Sequence, residues 1–167
     1  MRWDRLFDDL EGQAADIELE QRDALAVELR DGDWASTPWR RLLGGRVVLA
    51  VRGVERIEGV VELVNDQVIH LRGDGIDHVV STLAVLTVHS TERRSEAPTA
   101  VRSALGWGHV LRALRDGGED VRVQLVDGMS RDGSVQVVGQ DFVQLRVGSG
   151  REQIVPFDAI AVVSGRR

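Results

Sequence analysis

The chain contains no cysteine, no lysine and no tyrosine among its 167 residues. Without cysteine it forms neither disulfide bonds nor thiolate metal sites, and this absence favours a cytosolic setting. No stretch approaches the roughly 20 apolar residues of a membrane-spanning helix, and Met1–Asp4 lacks the start of a signal peptide. We therefore expect a cytoplasmic protein without a membrane partner, long enough for one ordinary domain or two small ones.

Aromatic residues make up only 4% of the chain, while hydrophobic residues of all kinds make up 43%. The interior must therefore be built mainly from Val, Leu and Ile. Charge is unevenly distributed: residues 1–33 carry a net charge of −7, whereas the remaining residues carry +1. Nucleic-acid-binding domains are usually basic, because neutralising phosphates drives their affinity. The overall charge therefore does not indicate a nucleic-acid partner.

The N-terminus is predicted to be an acidic helical arm. Its apolar residues recur at spacings of three and four, which is typical of one helix face: Trp3, Phe7, Leu10, Ala14 and Ile17. Asp31-Gly32-Asp33 is expected to end the helical stretch. Because an apolar face of this size must be buried against the rest of the chain or another chain, it is a candidate partner-binding face.

From about Arg46 the hydrophobic period changes to two, which is typical of β-strands. Shifting the chain by 74 residues superimposes two strand-rich stretches without a gap. Seven identical pairs then coincide: Val47 with Val121, Gly59 with Gly133, Val61 with Val135, Val64 with Val138, Leu71 with Leu145, Arg72 with Arg146 and Val88 with Val162. Similar residues also coincide, among them Leu83 with Phe157 and Leu86 with Ile160. The chain therefore contains an internal repeat.

Each copy follows a predicted short helix that ends in glycines, at 39–43 and at 101–115. Glycines at 106 and 108 flank Trp107, so we expect the second helix to be either broken or closely packed there. We predict a mainly β chain of the α+β class, with N-terminal helices and two tandem five-stranded Sm-like or SH3-like small barrels. The predicted divisions are an acidic helical arm (1–33), a first barrel with its leading helix (34–92), a linker (93–100) and a second barrel with its leading helix (101–167).

The second copy resembles the Hfq RNA-chaperone branch of the Sm-like superfamily. Val121–Gly128 is similar to its first strand and turn, Gly133–Arg146 to its bent second strand, turn and third strand, and Ile154–Val163 to its last two strands. SH3-like and PRC-type barrels share much of this pattern. The resemblance implies that fourth and fifth strands pair, either between subunits of a ring or between the two copies of one chain.

The chain departs from the Hfq pattern where bases bind. Hfq carries a Tyr-Lys-His triplet between its last two strands, whereas this chain has Pro156-Phe157-Asp158 and Thr82-Leu83-Ala84. The stacking ring and the cation that hold splayed bases are therefore missing. The whole chain also resembles an actinobacterial family whose members are often labelled Fis-type regulators. Fis-type DNA binding requires a basic helix-turn-helix, whereas the main helical segment here is acidic.

Enzyme motifs and cofactor-binding motifs do not occur in the sequence, so we expect neither catalysis nor a cofactor nor a small-molecule substrate. His78, expected in a loop beside Asp77, is the histidine with the best claim to a metal or catalytic role; an exposed turn residue is the simpler interpretation. The densest basic run is a candidate nucleic-acid patch: Arg40, Arg41, Arg46, Arg52 and Arg56. Trp34, Trp39 and Trp107 are interpreted as anchors of the leading helices rather than stacking platforms.

These patterns indicate a non-enzymatic binding protein, with two alternatives for the partner. The first is a regulatory adapter that contacts proteins, or a copy of itself, through the acidic helix and the barrel edges. The second is an Sm-like RNA- or DNA-associated protein that uses the arginine patch. Oligomeric state stays open, because pairing of the two copies within one chain could yield a monomer.

Overall fold

A computed structural model describes residues 21–23, 27, 32–92 and 99–166. Contacts divide the chain after Pro38, and Trp39–Arg167 form one compact unit. In the preceding unit, residues 21–23, Val27 and residues 32–35 are helical. The predicted helix end at Asp31-Gly32-Asp33 is therefore wrong: Gly32 does not adopt the positive φ that ends helices. Instead the Ser36 and Thr37 hydroxyls donate to the carbonyl of Asp33 where the helix ends.

The compact unit is mainly β, as predicted. Its described residues form strands β1 (Gly44–Val51), β2 (Val54–Val64), β3 (Val68–Arg72), β4 (Ile76–Ser81), β5 (Val85–Glu92), β6 (Asp120–Leu125), β7 (Ser130–Val138), β8 (Phe142–Val147), β9 (Arg151–Pro156) and β10 (Ile160–Arg166). Helices α1 (Ala100–Ser103) and α2 (Trp107–Gly117) precede β6, so of the two expected alternatives the break before Trp107 is confirmed. Single 3-10 turns lie at Trp39–Leu42, Thr82–Ala84 and Phe157–Ala159.

The strands form one antiparallel sheet in the order β5-β1-β2-β3-β4-β10-β6-β7-β8-β9. The first five strands and the last five therefore follow the same order, with the last strand of each group next to its first. The two groups meet where β4 pairs with β10. The described sheet does not close on itself, and β5 and β9 form its two ends.

The strand registers repeat between the two groups. Val47 pairs with Gly59 in β1–β2, and Val121 pairs with Gly133 in β6–β7. The β2–β3 and β7–β8 pairs show the same irregularity at equivalent places, between Val61 and Leu63 in the first group. The backbone arrangement of β1 to β3 thus recurs after 74 residues, as the sequence predicts.

The predicted gapless shift is wrong for the last two strands of each group. The loop after β8 is one residue longer than the loop after β3, because Val147 pairs with Arg151 whereas Gly73 bonds to Ile76. The offset therefore becomes 75: Ser81 corresponds to Pro156, since both pair with the first residue of the preceding strand. Likewise Val85 corresponds to Ile160, because they pair with Val51 and Leu125. The pairings of Leu83 with Phe157, Leu86 with Ile160 and Val88 with Val162 are therefore each displaced by one residue.

The slip escapes sequence alignment for a physical reason. The residues Ile160 to Val163 of β10 are all buried, so this strand lacks the alternation that would fix its register. The extra residue lies in the exposed loop 148–150, where insertions cost little.

Two hydrophobic clusters fill the compact unit, and β10 contributes to both. Ala161 and Val162 pack with the buried residues of the first five strands, whereas Ile160 and Val163 pack with those of the second five. In return, Val68 of β3 belongs to the second cluster. Strand β10 therefore lies between the two clusters and connects the two strand groups.

Two of the three tryptophans that precede the strand groups pack against the interior, as the sequence predicts for anchors of the leading helices. Trp107, at the start of α2, is 4% exposed and belongs to the second cluster together with Leu111. Trp39 is partly buried against the first cluster. Trp34 is about half exposed, and its role as an anchor stays a prediction.

Candidate interaction edges

The junction between β4 and β10 shows how two edges of this fold fit together. Val162 pairs with Val80, and both side chains are fully buried. The Ser164 hydroxyl lies 2.8 Å from Nδ1 of His78, which it opposes in the register. Main-chain pairing, apolar contact and one polar pair thus combine along five residues of each strand.

The sheet ends, β5 and β9, are the repeat counterparts of the two junction strands. β5 corresponds to β10, and β9 corresponds to β4. Because the internal junction uses one edge from each group, one edge of each kind is left at the ends of the described sheet. An end strand presents unpaired backbone N–H and C=O groups, which can pair with a further strand.

The end strands expose apolar side chains at positions whose junction counterparts are covered. Leu86 of β5 is 58% exposed, whereas its counterpart Ala161 is fully buried in the first cluster. Ile154 of β9 is 66% exposed, whereas its counterpart Val79 is partly buried against the second cluster. Both end strands therefore carry an apolar surface suited to another strand.

β9 also carries features that limit indiscriminate strand pairing. It begins with the charged pair Arg151 and Glu152 and ends with Pro156, which has no backbone N–H. The Glu152 carboxylate is engaged by Gln144 and by Arg146 on the neighbouring strand. Such features disfavour chance partners and leave room for a partner whose register matches.

The arginines of the candidate nucleic-acid patch lie apart from one another in the structure. Arg46 near the start of β1 and Arg52 just after its end are separated by roughly 20 Å at the usual rise per strand residue. Arg52 and Arg56 flank the β1–β2 turn, whereas Arg41 lies exposed in the 3-10 turn before β1. The five residues therefore do not form one compact surface.

Two of these arginines are paired with acids. Arg40 lies 2.8 Å from the Asp66 carboxylate and over the ring of Trp39, 5.9 Å from its centre. Arg46 lies 2.6 Å from the Glu58 carboxylate, which raises the pKa of the arginine. These acids reduce the positive potential that a phosphate backbone would meet.

The expectation that His78 lies in a loop is wrong: it lies on β4, because that strand begins at Ile76. Burial lowers the pKa of the His78 imidazole, and the nearby Asp77 carboxylate partly opposes this shift. Nε2 of His70 lies 3.4 Å from that carboxylate, but His70 and His78 point to opposite faces, since Leu71 is the residue paired with His78. Among the described residues no group of three potential ligands is placed to hold a metal ion.

An open groove runs along the junction beside β10 and β6. His78, Ser164 and Arg166 line it together with the Arg122–Asp132 ion pair, whose two contacts measure 2.7 and 3.0 Å. The hydrogen bond from Arg122 lowers the pKa of the Asp132 carboxyl. The Arg122 and Asp132 charges satisfy one another, and Glu119 and Asp120 add two further carboxylates to the lining of the groove.

The predicted partner-binding helix face, Trp3, Phe7, Leu10, Ala14 and Ile17, lies outside the described residues. The sequence predicted barrel edges as contact surfaces but did not single out Leu86 or Ile154. Both are apolar residues in strands that the chain order alone does not reveal as ends. The expectation that a fourth and a fifth strand pair left open whether the pair joins subunits or the two copies of one chain. The pairing of β4 with β10 confirms the second alternative and identifies β5 and β9 as the ends of the described sheet.

Comparison with known proteins places the chain in no family: no protein-family model matches it, and no curated protein does. In the described part of the chain, no helix has the length and apolar character needed to cross a membrane.

Proposed function

We propose that this chain is a non-enzymatic adapter, built from two Sm-like small barrels in tandem, that binds protein segments at its open strand edges. The two barrels would be β5-β1-β2-β3-β4 and β10-β6-β7-β8-β9. Their shared strand order, their matching registers and a hydrophobic cluster for each support this division. The irregularity within β2 and β7 is of the kind that bends a strand far enough to curl a small sheet.

The exposed apolar residues of the two end strands carry the proposal. Leu86 and Ile154 lie beside backbone groups that have no partner strand in the described sheet. Binding by strand addition draws affinity from main-chain hydrogen bonds and specificity from alternate side chains. A polypeptide in extended conformation supplies both, whereas a nucleic acid or a small metabolite supplies neither.

The test compares proteins captured by the tagged full chain and by edge variants from the native host. Leu86→Lys and Ile154→Lys place a charge on exposed edge positions, and Val137→Lys places one on an exposed residue of β7 away from both ends. We expect a protein partner at constant stoichiometry that is lost with either edge variant and kept with Val137→Lys. Capture that is equal for all three variants contradicts the proposal.

A second measurement addresses nucleic acid directly. Mixed single-stranded RNA and DNA are titrated with the full chain at low and at moderate salt. We expect no salt-sensitive binding, because the arginines are dispersed and two of them are ion-paired. Salt-sensitive binding that is lost in Arg52→Ala and Arg56→Ala, together with unchanged binding by Ile154→Lys, would favour a nucleic-acid function instead.

A further inference from the structure

The first strand group has a sheet face that the rest of the compact unit covers. Leu63, His70 and Val79 pair across β2, β3 and β4, so their side chains lie on one side of the sheet, here called the β2–β4 face. Val68 lies on the same side, because it is two residues before His70 on β3. The apolar members Leu63, Val68 and Val79 pack in the second hydrophobic cluster, although they belong to the first five strands.

The helix α2 is part of that cover. Its Trp107 and Leu111 are buried in the same second cluster, and Leu114 packs against it. A Cβ at Gly106, the residue before the helix, would overlap the side chain of Gln67 in the β2–β3 turn, so the helix begins beside that turn. The element that fits this kind of face is thus an amphipathic helix with an aromatic residue at its start and leucines four and seven positions later.

The equivalent face of the second strand group is open in the described structure. Val137, Gln144 and Ile154 pair across β7, β8 and β9 and define the β7–β9 face, which also carries Phe142, two residues before Gln144. Val137 is 45% exposed and Ile154 is 66% exposed, whereas their counterparts on the β2–β4 face are partly buried. Each apolar residue of the covered face therefore has an apolar counterpart on the open one.

The charge beside the open face indicates which helix would suit it. Asp141 is the counterpart of Gln67, since both directly precede the next strand and their carbonyls accept equivalent hydrogen bonds. Its exposed carboxylate would stand beside the start of a helix docked in the manner of α2, where the helix dipole is positive. The first turn of α2 contains no acid, whereas residues 1–33 of the chain carry a net charge of −7. A neutral or basic helix therefore fits beside Asp141 better than the acidic arm does.

We propose that the β7–β9 face binds an amphipathic helix of a partner protein, a neutral or basic helix of the kind that α2 presents to the first strand group. The apolar side of this helix packs on Val137, Phe142 and Ile154, and its first turn lies beside Asp141. This surface is the face of a sheet and goes beyond the strand edges of the proposed function, with which it shares only Ile154.

The probe is a labelled peptide with the sequence of residues 99–118, which includes α2, titrated with the full chain and followed by fluorescence anisotropy. We expect saturable binding that Val137→Lys and Ile154→Lys each weaken by about tenfold or more, because each places a charge on the apolar face. Leu86→Lys, at an exposed position of β5 outside this face, should leave the affinity unchanged. Circular dichroism verifies that the three variants stay folded. Absence of binding, or equal weakening by Leu86→Lys, overturns the inference.

A charge substitution tests where the helix begins. Asp141→Lys should weaken binding of the same peptide by about threefold, because it places a cation beside the positive end of the helix dipole. The matched control is Gln140→Lys, which adds a cation at the exposed neighbouring residue of the turn and should change the affinity less. Equal effects of the two substitutions contradict the proposed placement of the helix.

A second peptide, with the sequence of residues 1–18, tests the acidic arm of the chain itself as the occupant. It should bind more weakly than the 99–118 peptide, and tighter binding would overturn the proposal of a partner helix. The edge-binding function is tested separately, because Val137→Lys leaves both end strands intact and Leu86→Lys leaves this face intact. If the 99–118 peptide does not bind while Leu86→Lys still loses a captured protein, the helix site fails and the edge function stands; the opposite pair of results leaves the helix site and removes the edge function.

Discussion

The two strand groups have nearly the same backbone but different surroundings. Their first three strands pair in matching registers, apart from a shift between Leu49 and Val51 that the second group lacks. A glycine occupies the same place in the second strand, Gly59 in one group and Gly133 in the other. Their last strands differ sharply in burial: the first four residues of β10 are all buried, whereas no residue of β5 is more than partly buried. The same strand thus serves as an interior strand in one group and as an end in the other.

The turn after the second strand differs for a similar reason. Asn65 is buried, and its Nδ2 donates to the carbonyls of Arg102 and Leu105 at 2.9 Å each. Its Oδ1 accepts from the backbone N–H groups of Gln67 and Val68. The counterpart is Gly139, which keeps only the backbone hydrogen bond of the turn and is covered by the Phe142 ring. Asn65 therefore ties the first turn to α1 and to the residues that follow it.

The largest expected effects come from Leu71 and Leu145, which occupy equivalent positions in the two hydrophobic clusters. Leu71→Ala and Leu145→Ala each remove a fully buried side chain, which costs about 3 kcal/mol of unfolding free energy. Because β10 joins the two clusters, both variants should shift the same single transition in urea, measured at one protein concentration. Two separate transitions, each sensitive to one variant, would show that the groups unfold independently.

Replacement of Asn65 should be nearly as costly. Asn65→Ala leaves two carbonyls and two N–H groups without this partner, and we expect a loss of about 2 to 3 kcal/mol in urea unfolding. The matched control is Gln140→Ala, an exposed residue in the equivalent turn, which should change little. Asn65→Gly introduces the residue found at the equivalent position, Gly139. If this variant is as stable as the wild type, then the hydrogen bonds to Arg102 and Leu105 do not stabilise the fold.

The two equivalent glycines should tolerate alanine differently. A Cβ at Gly133 would overlap the carbonyl oxygen of Arg146, a backbone atom that cannot move without distorting β8. A Cβ at Gly59 would lie 3.0 Å from the carbonyl oxygen of Arg72, a milder conflict. We expect Gly133→Ala to cost about 2 kcal/mol and Gly59→Ala about 1 kcal/mol in thermal or urea unfolding. Equal costs would mean that the second strand group relaxes as easily as the first.

The sequence predicted local features well because local physical chemistry determines them. Strand alternation, the glycine turns and the break before Trp107 follow from short-range patterns, and the structure confirms them. The resemblance implied that a fourth and a fifth strand pair, and the pairing of β4 with β10 confirms the alternative in which the two copies of one chain pair. The sequence did not choose between this alternative and pairing between subunits, because the paired residues are far apart in the chain. It also missed that Arg40 and Arg46 meet Asp66 and Glu58, because those contacts depend on the folded arrangement.

The smallest expected effect is a change in the pH dependence of stability at His78. Its counterpart in the second strand group is Gln153, which does not titrate. Burial lowers the pKa of His78 below the ordinary value of about 6.5, so the folded chain favours the neutral ring. The contribution of the neutral His78 ring to the unfolding free energy is complete above about pH 6.5. It is lost as the pH falls below that value, because the unfolded chain binds the proton at a higher pH than the folded chain does. The unfolding free energy of His78→Gln should therefore decrease less than that of the wild type between about pH 7 and 5. Ser164→Ala removes the hydrogen bond but keeps the burial, and it should retain the wild-type pH dependence; the same slope in all three proteins would contradict the shift.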